Sequence, residues 1–172
     1  LIQNYANLFR KHGLKVGQVL LTQHDTTHRQ QYLNARNTLQ KLLELGVIPV
    51  INENDTTAVD EIKFGDNDTL AALVASLIEA DLLVILTDTD GLFTTDPRLG
   101  GEARLISEVQ EITPEIEAIG GGVGTDLASG GMFTKIQAAK VATFAQVGVV
   151  VVNGRTPNIL LKVAEGEEVG TF

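Results

Sequence analysis

The sequence predicts an α/β protein, a three-layer α/β/α sandwich around a mainly parallel sheet. Three observations carry that prediction. Residues 47–51, 82–86 and 147–152 are short apolar runs without polar alternation, the habit of strands buried on both faces. Between them lie stretches whose apolar residues recur at helical spacing. Strand and helix then alternate along the chain, which implies βαβ crossovers.

The elements follow in order. Ile2, Tyr5, Leu8 and Phe9 fall on one face of an opening helix, and residues 16–22 read as a strand. Residues 30–44 form a helix with Leu39, Leu42 and Leu43 on one side, ended by Gly46; residues 47–51 are the next strand. Residues 68–80 carry Leu70, Leu73, Val74, Leu77 and Ile78 at i, i+3, i+4, i+7 and i+8, a strict helical stripe. Strands at 82–86 and 147–152, a helix over 131–146 and a short helix over 159–164 complete the pattern. Residues 56–64 and 91–104 are polar, β-branched and turn-rich, so they read as hairpins or lids. Residues 120–131 hold too many glycines for a helix or strand and read as a linker.

Composition removes several function classes. The chain has 172 residues and no cysteine, which excludes a disulfide framework, a zinc–cysteine site and a cysteine nucleophile. Its 13 Lys and Arg against 22 Asp and Glu give a net charge of −9, which repels phosphate backbones, so no nucleic-acid partner is expected. The apolar runs fall far short of the roughly 20 residues of a spanning helix; a cytoplasmic location without membrane partners is expected. Leu1 stands where an initiator methionine would, and the expectation is that an upstream part is missing.

In open α/β sheets ligands bind beyond the carboxyl ends of strands. Those places hold Asn52-Glu53-Asn54-Asp55, Thr87-Asp88-Thr89-Asp90-Gly91 and Asn153-Gly154-Arg155. Each residue taken singly is also an ordinary cap or turn former. Gly65-Asp66-Asn67-Asp68-Thr69-Leu70 opens the strictest helix. One N-cap needs one such side chain; three in a row point to binding amines or orienting lysines. Ser129-Gly130-Gly131-Met132-Phe133-Thr134-Lys135 joins close backbone approach to a helix N-terminus. A lysine there opposes the helix dipole, and a bound phosphate resolves the conflict. The spacing is not that of a Walker A loop. His24-Asp25-Thr26-Thr27-His28 echoes H-E-x-x-H, but a polar loop opening a helix is the preferred reading over zinc. Asp88-Thr89-Asp90-Gly91 fails the twelve-residue calcium pattern. No residue is assigned to a metal.

Taken together, Val50-Ile51-Asn52-Glu53-Asn54-Asp55, Phe64 to Ala75, Leu86-Thr87-Asp88, Thr95-Asp96-Pro97-Arg98 and Gly130 to Lys135 resemble, in this order, the glutamate 5-kinases of the amino acid kinase superfamily. The Gly-Gly-Met-x-Thr-Lys segment also suits bacterial uridylate kinases; the two Asn- and Asp-rich segments favour the glutamate family. The resemblance implies transfer of the ATP γ-phosphoryl group to the side-chain carboxylate of L-glutamate, with Mg2+, as the first step of proline biosynthesis. It implies that Asp55 and Asn67 hold glutamate with Asn52 and Asp66 nearby, and that Asp68 orients catalytic lysines. Thr87 and Asp88 correspond to the nucleotide-site pair; Ser129, Gly130, Gly131, Met132, Phe133, Thr134 and Lys135 correspond to the nucleotide loop, with Lys135 catalytic. A homo-oligomer, dimer or tetramer, and feedback inhibition by proline are further implications.

The family's opening strand with its lysine and glycine-rich loop, and its second Ser-Gly loop, have no match in these residues. The chain therefore reads as a partial amino acid kinase domain over 1–172, with no RNA-modification-type domain after it. The alternatives are a uridylate or other amino acid kinase and a non-catalytic module that binds a nucleotide or amino acid.

Overall fold

The computed structural model describes residues 2–54, 67–95, 97, 102–121 and 131–172. The chain divides into two units, Leu1–Ile78 and Glu79–Phe172. The expected parallel α/β architecture is present as two parallel strand pairs, one in each unit.

In the first unit α1 (Ile2–Arg10) leads into β1 (Lys15–Leu21), followed by α2 (Gln23–Thr27), α3 (Arg29–Glu44), β2 (Val47–Glu53) and α4 (Asn67–Leu77). β1 and β2 pair in parallel from Lys15↔Val47 to Leu21↔Glu53. The crossover between them is helical, which is how parallel neighbours are joined. Leu21 and Leu70 are buried together, with Val19, Ala35, Ile51, Leu73 and Val74 packed against them. α3 and α4 thus share one face of the pair. Two details differ from expectation. α2 is a separate turn of helix, started where Thr22 N–H and Oγ1 both donate to Asp25 Oδ2 at 2.7 Å. In α4 the fully buried residues are Leu70, Ala72, Ala75 and Leu77, while Leu73 and Val74 are half-buried. Burial there takes in two leucines of the stripe and two alanines beside it.

The second unit contains β3 (Leu82–Thr87), α5 (Pro114–Ile119), α6 (Met132–Phe144), β4 (Gly148–Asn153) and α7 (Ile159–Ala164). β3 and β4 are parallel from Leu82↔Gly148 to Thr87↔Asn153. Val149 to Val152 are all buried. Val150 and Val152 pack with Ile159, Val84, Val163 and Val169 on the α7 side. Val149 and Val151 line the α6 side together with Ile136 and Ala139.

The expected hairpin over 91–104 is present in its arms. Phe93 bridges Leu105 antiparallel, with Thr94 N–H to Arg104 O at 2.9 Å and Ile106 N–H to Leu92 O at 2.8 Å. The Thr171 hydroxyl fastens this hairpin to the end of the chain. It accepts Leu92 N–H at 2.8 Å and donates to Ile106 O, while the Thr171 backbone exchanges bonds of 2.9 and 3.0 Å with Val151. Gly170, at φ +73, must be glycine here, because a Cβ would stand 2.2 Å from Val151 O. The expected hairpin at 56–64 lies outside the described residues, as do residues 122–130 of the expected linker.

Two expectations need correction. Burial on both faces describes β4, whereas β1 and β3 keep Leu20, Leu82 and Leu86 exposed and β2 is half-buried throughout. α5 was not foreseen, although Thr113 before Pro114 and Glu115 is a helix-start signature. A hydrogen bond from the Thr113 side chain, then one from the Glu115 backbone, holds the Glu115 carboxyl below the usual carboxylate range.

Candidate functional site

Of the predicted residues, Asn52, Asn67, Asp68, Thr87 and Asp88 fall at the carboxyl ends of the two strand pairs. In the first unit Asn52 lies within β2 rather than after it, in register with Leu20. Asn54 N–H donates to Leu21 O at 2.8 Å, carrying the pairing one residue further. Leu70, in the first turn of α4, packs on Leu21, the last residue of β1. That contact draws the start of α4 to the carboxyl end of the pair. Asn67, exposed, and Asp68, half-buried, are the first two residues of that helix. Asn52, Asn67 and Asp68 therefore share one end of the first unit, where the helix dipole favours acids and anions. Asp55 and Asp66, assigned to the same group, lie outside the described residues.

In the second unit Thr87 is the last residue of β3 and stands beside Asn153, the last of β4. Thr87 Oγ1 donates to Asp88 Oδ1 at 3.4 Å. The two strand ends are tied together: Gly154 N–H donates to Thr87 O at 2.8 Å, and Asn153 Nδ2 donates to Asp90 Oδ1 at 2.8 Å. The Asn153-Gly154-Arg155 segment was legible as polar and well placed. Its bond to Asp90, 63 residues earlier, has no local sequence signal.

The nucleotide loop is described only from Gly131 onward; Ser129 and Gly130 lie outside the described residues. Gly131 is the N-cap of α6, at φ +42, rather than its first residue, and Thr134 Oγ1 donates to Gly131 O at 3.0 Å. Met132, Phe133, Thr134 and Lys135 form the first turn of α6 and are half-buried. Met132 and Lys135 border a cavity of about 220 Å3 whose other walls include Ile112, Ile116, Ile136, Val149 and Phe172. Those walls are mostly apolar, and neither Thr87 nor Asp88 borders it.

The rings of His24 and His28 stack with centroids 3.6 Å apart, and the Asp25 carboxylate is turned to Thr22. Among the described residues no group of three His, Cys, Asp or Glu side chains is placed to hold a metal ion. None of the helices among those residues is long and apolar enough to cross a membrane.

Parallel strands joined by helical crossovers, with polar side chains at their carboxyl ends, are the pattern of α/β proteins whose ligands bind beyond those ends. Residues 1–153 match the amino acid kinase family, and the chain belongs to it. It is 54% identical over 171 residues to a glutamate 5-kinase of Burkholderia multivorans, covering 99% of this chain and 46% of that one. It is 56% identical over 174 residues to a glutamate 5-kinase of Dehalococcoides mccartyi, covering 99% and 47%. The chain thus spans about half the length of the curated relatives it matches. Among solved structures it is similar to the UMP kinase from Ureaplasma parvum, with a TM-score of 0.64 and 15% identity over 95% of this chain and 62% of that one. At that identity the likeness is one of fold.

Proposed function

We propose that the protein carrying this chain phosphorylates the side-chain carboxylate of L-glutamate with ATP, giving glutamate 5-phosphate for proline biosynthesis. The observation that carries this reading is the identity of 54–56% to glutamate 5-kinases along 99% of the chain. In this reading residues 1–172 form part of the kinase domain.

The chemistry suits the residues. The glutamate carboxylate is already a nucleophile, so its oxygen attacks the γ-phosphorus and ADP leaves without a strong base. The difficulty is charge: both reactants are anionic and the chain carries −9. Lysines and helix N-termini must reverse the sign locally. Asn52, Asp55, Asp66 and Asn67 hold the glutamate, the acids matching its α-amino group. Asp68 orients lysines, and Lys135 stabilises the transferring phosphoryl group. Thr87 and Asp88, with Ser129 to Thr134, hold the nucleotide. Mg2+ is ordinarily held by one or two carboxylates plus substrate phosphates. Asp88 suits that sparse mode of binding, and the metal would supply neutralisation of the phosphates. A homo-oligomer in the cytoplasm, inhibited by proline, completes the proposal.

The test is an ADP-release assay with glutamate, aspartate and UMP as acceptors. Turnover with glutamate alone is expected; turnover with UMP sinks the proposal, and nucleotide binding without turnover favours a non-catalytic module. Lys135→Ala is expected to lower turnover by about 10²–10³, the loss typical of a preorganised charge stabiliser. Near-normal turnover would remove Lys135 from the mechanism. Asp55→Ala is expected to raise the KM for glutamate more than that for ATP.

A further inference from the structure

One amide holds both turns at the carboxyl end of the second strand pair. Asn153 Nδ2 donates to Asp90 Oδ1 at 2.8 Å, and its Oδ1 accepts Arg155 N–H at 3.0 Å. Its two ends therefore fasten the turn after β3 and the turn after β4. A backbone bond closes the same gap, from Gly154 N–H to Thr87 O at 2.8 Å. Asp88 stands between these anchors. On one side Thr87 is fixed through its carbonyl; on the other Asp90 is fixed through its carboxylate. A segment this short, held at both ends, has little freedom to redirect the side chain in its middle.

We infer that Asn153 is a positioning residue for the nucleotide site, aiming the Thr87-Asp88-Thr89-Asp90 turn through its bond to Asp90. The inference rests on the nucleotide role proposed above for Thr87 and Asp88. Position 153 needs both a donor, for Asp90, and an acceptor, for Arg155 N–H. Asparagine supplies both in one planar group. Aspartate keeps the acceptor, loses the donor and sets a second carboxylate against Asp90.

The experiment is steady-state kinetics on the protein as its gene encodes it. Asn153→Asp is expected to raise the KM for ATP about tenfold, the scale of a lost hydrogen bond to a charged group. The KM for glutamate should stay within about twofold, because the variant removes a bond within the turn proposed for ATP and none to a residue proposed for glutamate. The exchange variant Asn153→Asp with Asp90→Asn puts the donor on the other partner, and the ATP KM should return to within about threefold of the starting value. An unchanged ATP KM in Asn153→Asp overturns the inference. So does an equal rise in both KM values that the exchange variant does not recover, since that marks a merely structural role. Asp88→Asn separates the two levels. If it leaves the ATP KM unchanged, the nucleotide reading of the turn fails and the inference fails with it. If it raises the ATP KM while Asn153→Asp does not, the positioning role alone falls.

Discussion

The two strand pairs are alike in sequence pattern and unlike in burial. β2 opens as an apolar run and is half-buried at every residue, whereas β4 buries Val149 to Val152. Among the described residues the difference follows the helices, with α1 also in contact with β1. α6 and α7 lie on opposite faces of β4, while α3 and α4 pack together against a shared face of β1 and β2. An unbroken apolar run therefore reports that a strand can be covered twice; the neighbouring helices decide whether it is.

The sharpest way to break this comparison is Val152→Asp. Val152 is fully buried, and an unpaired carboxylate there should cost more than about 4 kcal/mol, enough to unfold the second unit. Leu20→Asp, on the exposed side of β1, should cost about 1 kcal/mol or less. Denaturant titration of both proteins would show it, and equal losses would end the two-face, one-face distinction. Next in size is Leu39→Ala in α3. Leu39 is also fully buried, and its truncation should cost about 2–5 kcal/mol. A loss no larger than that of Leu20→Ala would mean that the covered face of the first unit is not its core.

The smallest effect concerns Glu115, whose carboxyl lies below the usual range because Thr113 donates to it. A depressed carboxylate contributes stability that is present above its unfolded pKa and lost as pH falls through the folded one. The group is fully exposed, so the effect on stability is slight. The titration is nonetheless measurable by NMR, and Thr113→Val should move it upward. No movement would assign the shift to the helix backbone instead.

What the sequence made legible follows from how local each signal is. α7 was read to the residue, and the strands to within two, because period and turn chemistry are written in neighbouring residues. The polar ends at Asn52, Thr87 and Asn153 were found by one rule about strand termini. The strands proved longer than their apolar runs, since Asn52, Glu53, Thr87 and Asn153 still pair in the ladder. Backbone pairing does not stop where side chains turn polar. In α4 the leucine stripe is legible in Leu70 and Leu77, which are buried, and in Leu73 and Val74, which pack half-buried against the core; the burial of Ala72 and Ala75 beside it has no signal in the spacing. The Asn153–Asp90 bond was beyond reach: each residue was in a singled-out segment, but only the parallel register brings them together.

Thr171 joins segments of the second unit that are far apart in sequence. Its hydroxyl closes a loop of 79 positions back to Leu92, whereas the bonds between the hairpin arms, Thr94 N–H to Arg104 O and Ile106 N–H to Leu92 O, are local. During synthesis β3 and the hairpin leave the ribosome long before Thr171 does, and contacts so distant in sequence form slowly. The bonds between the hairpin arms are therefore expected to form before those to Thr171.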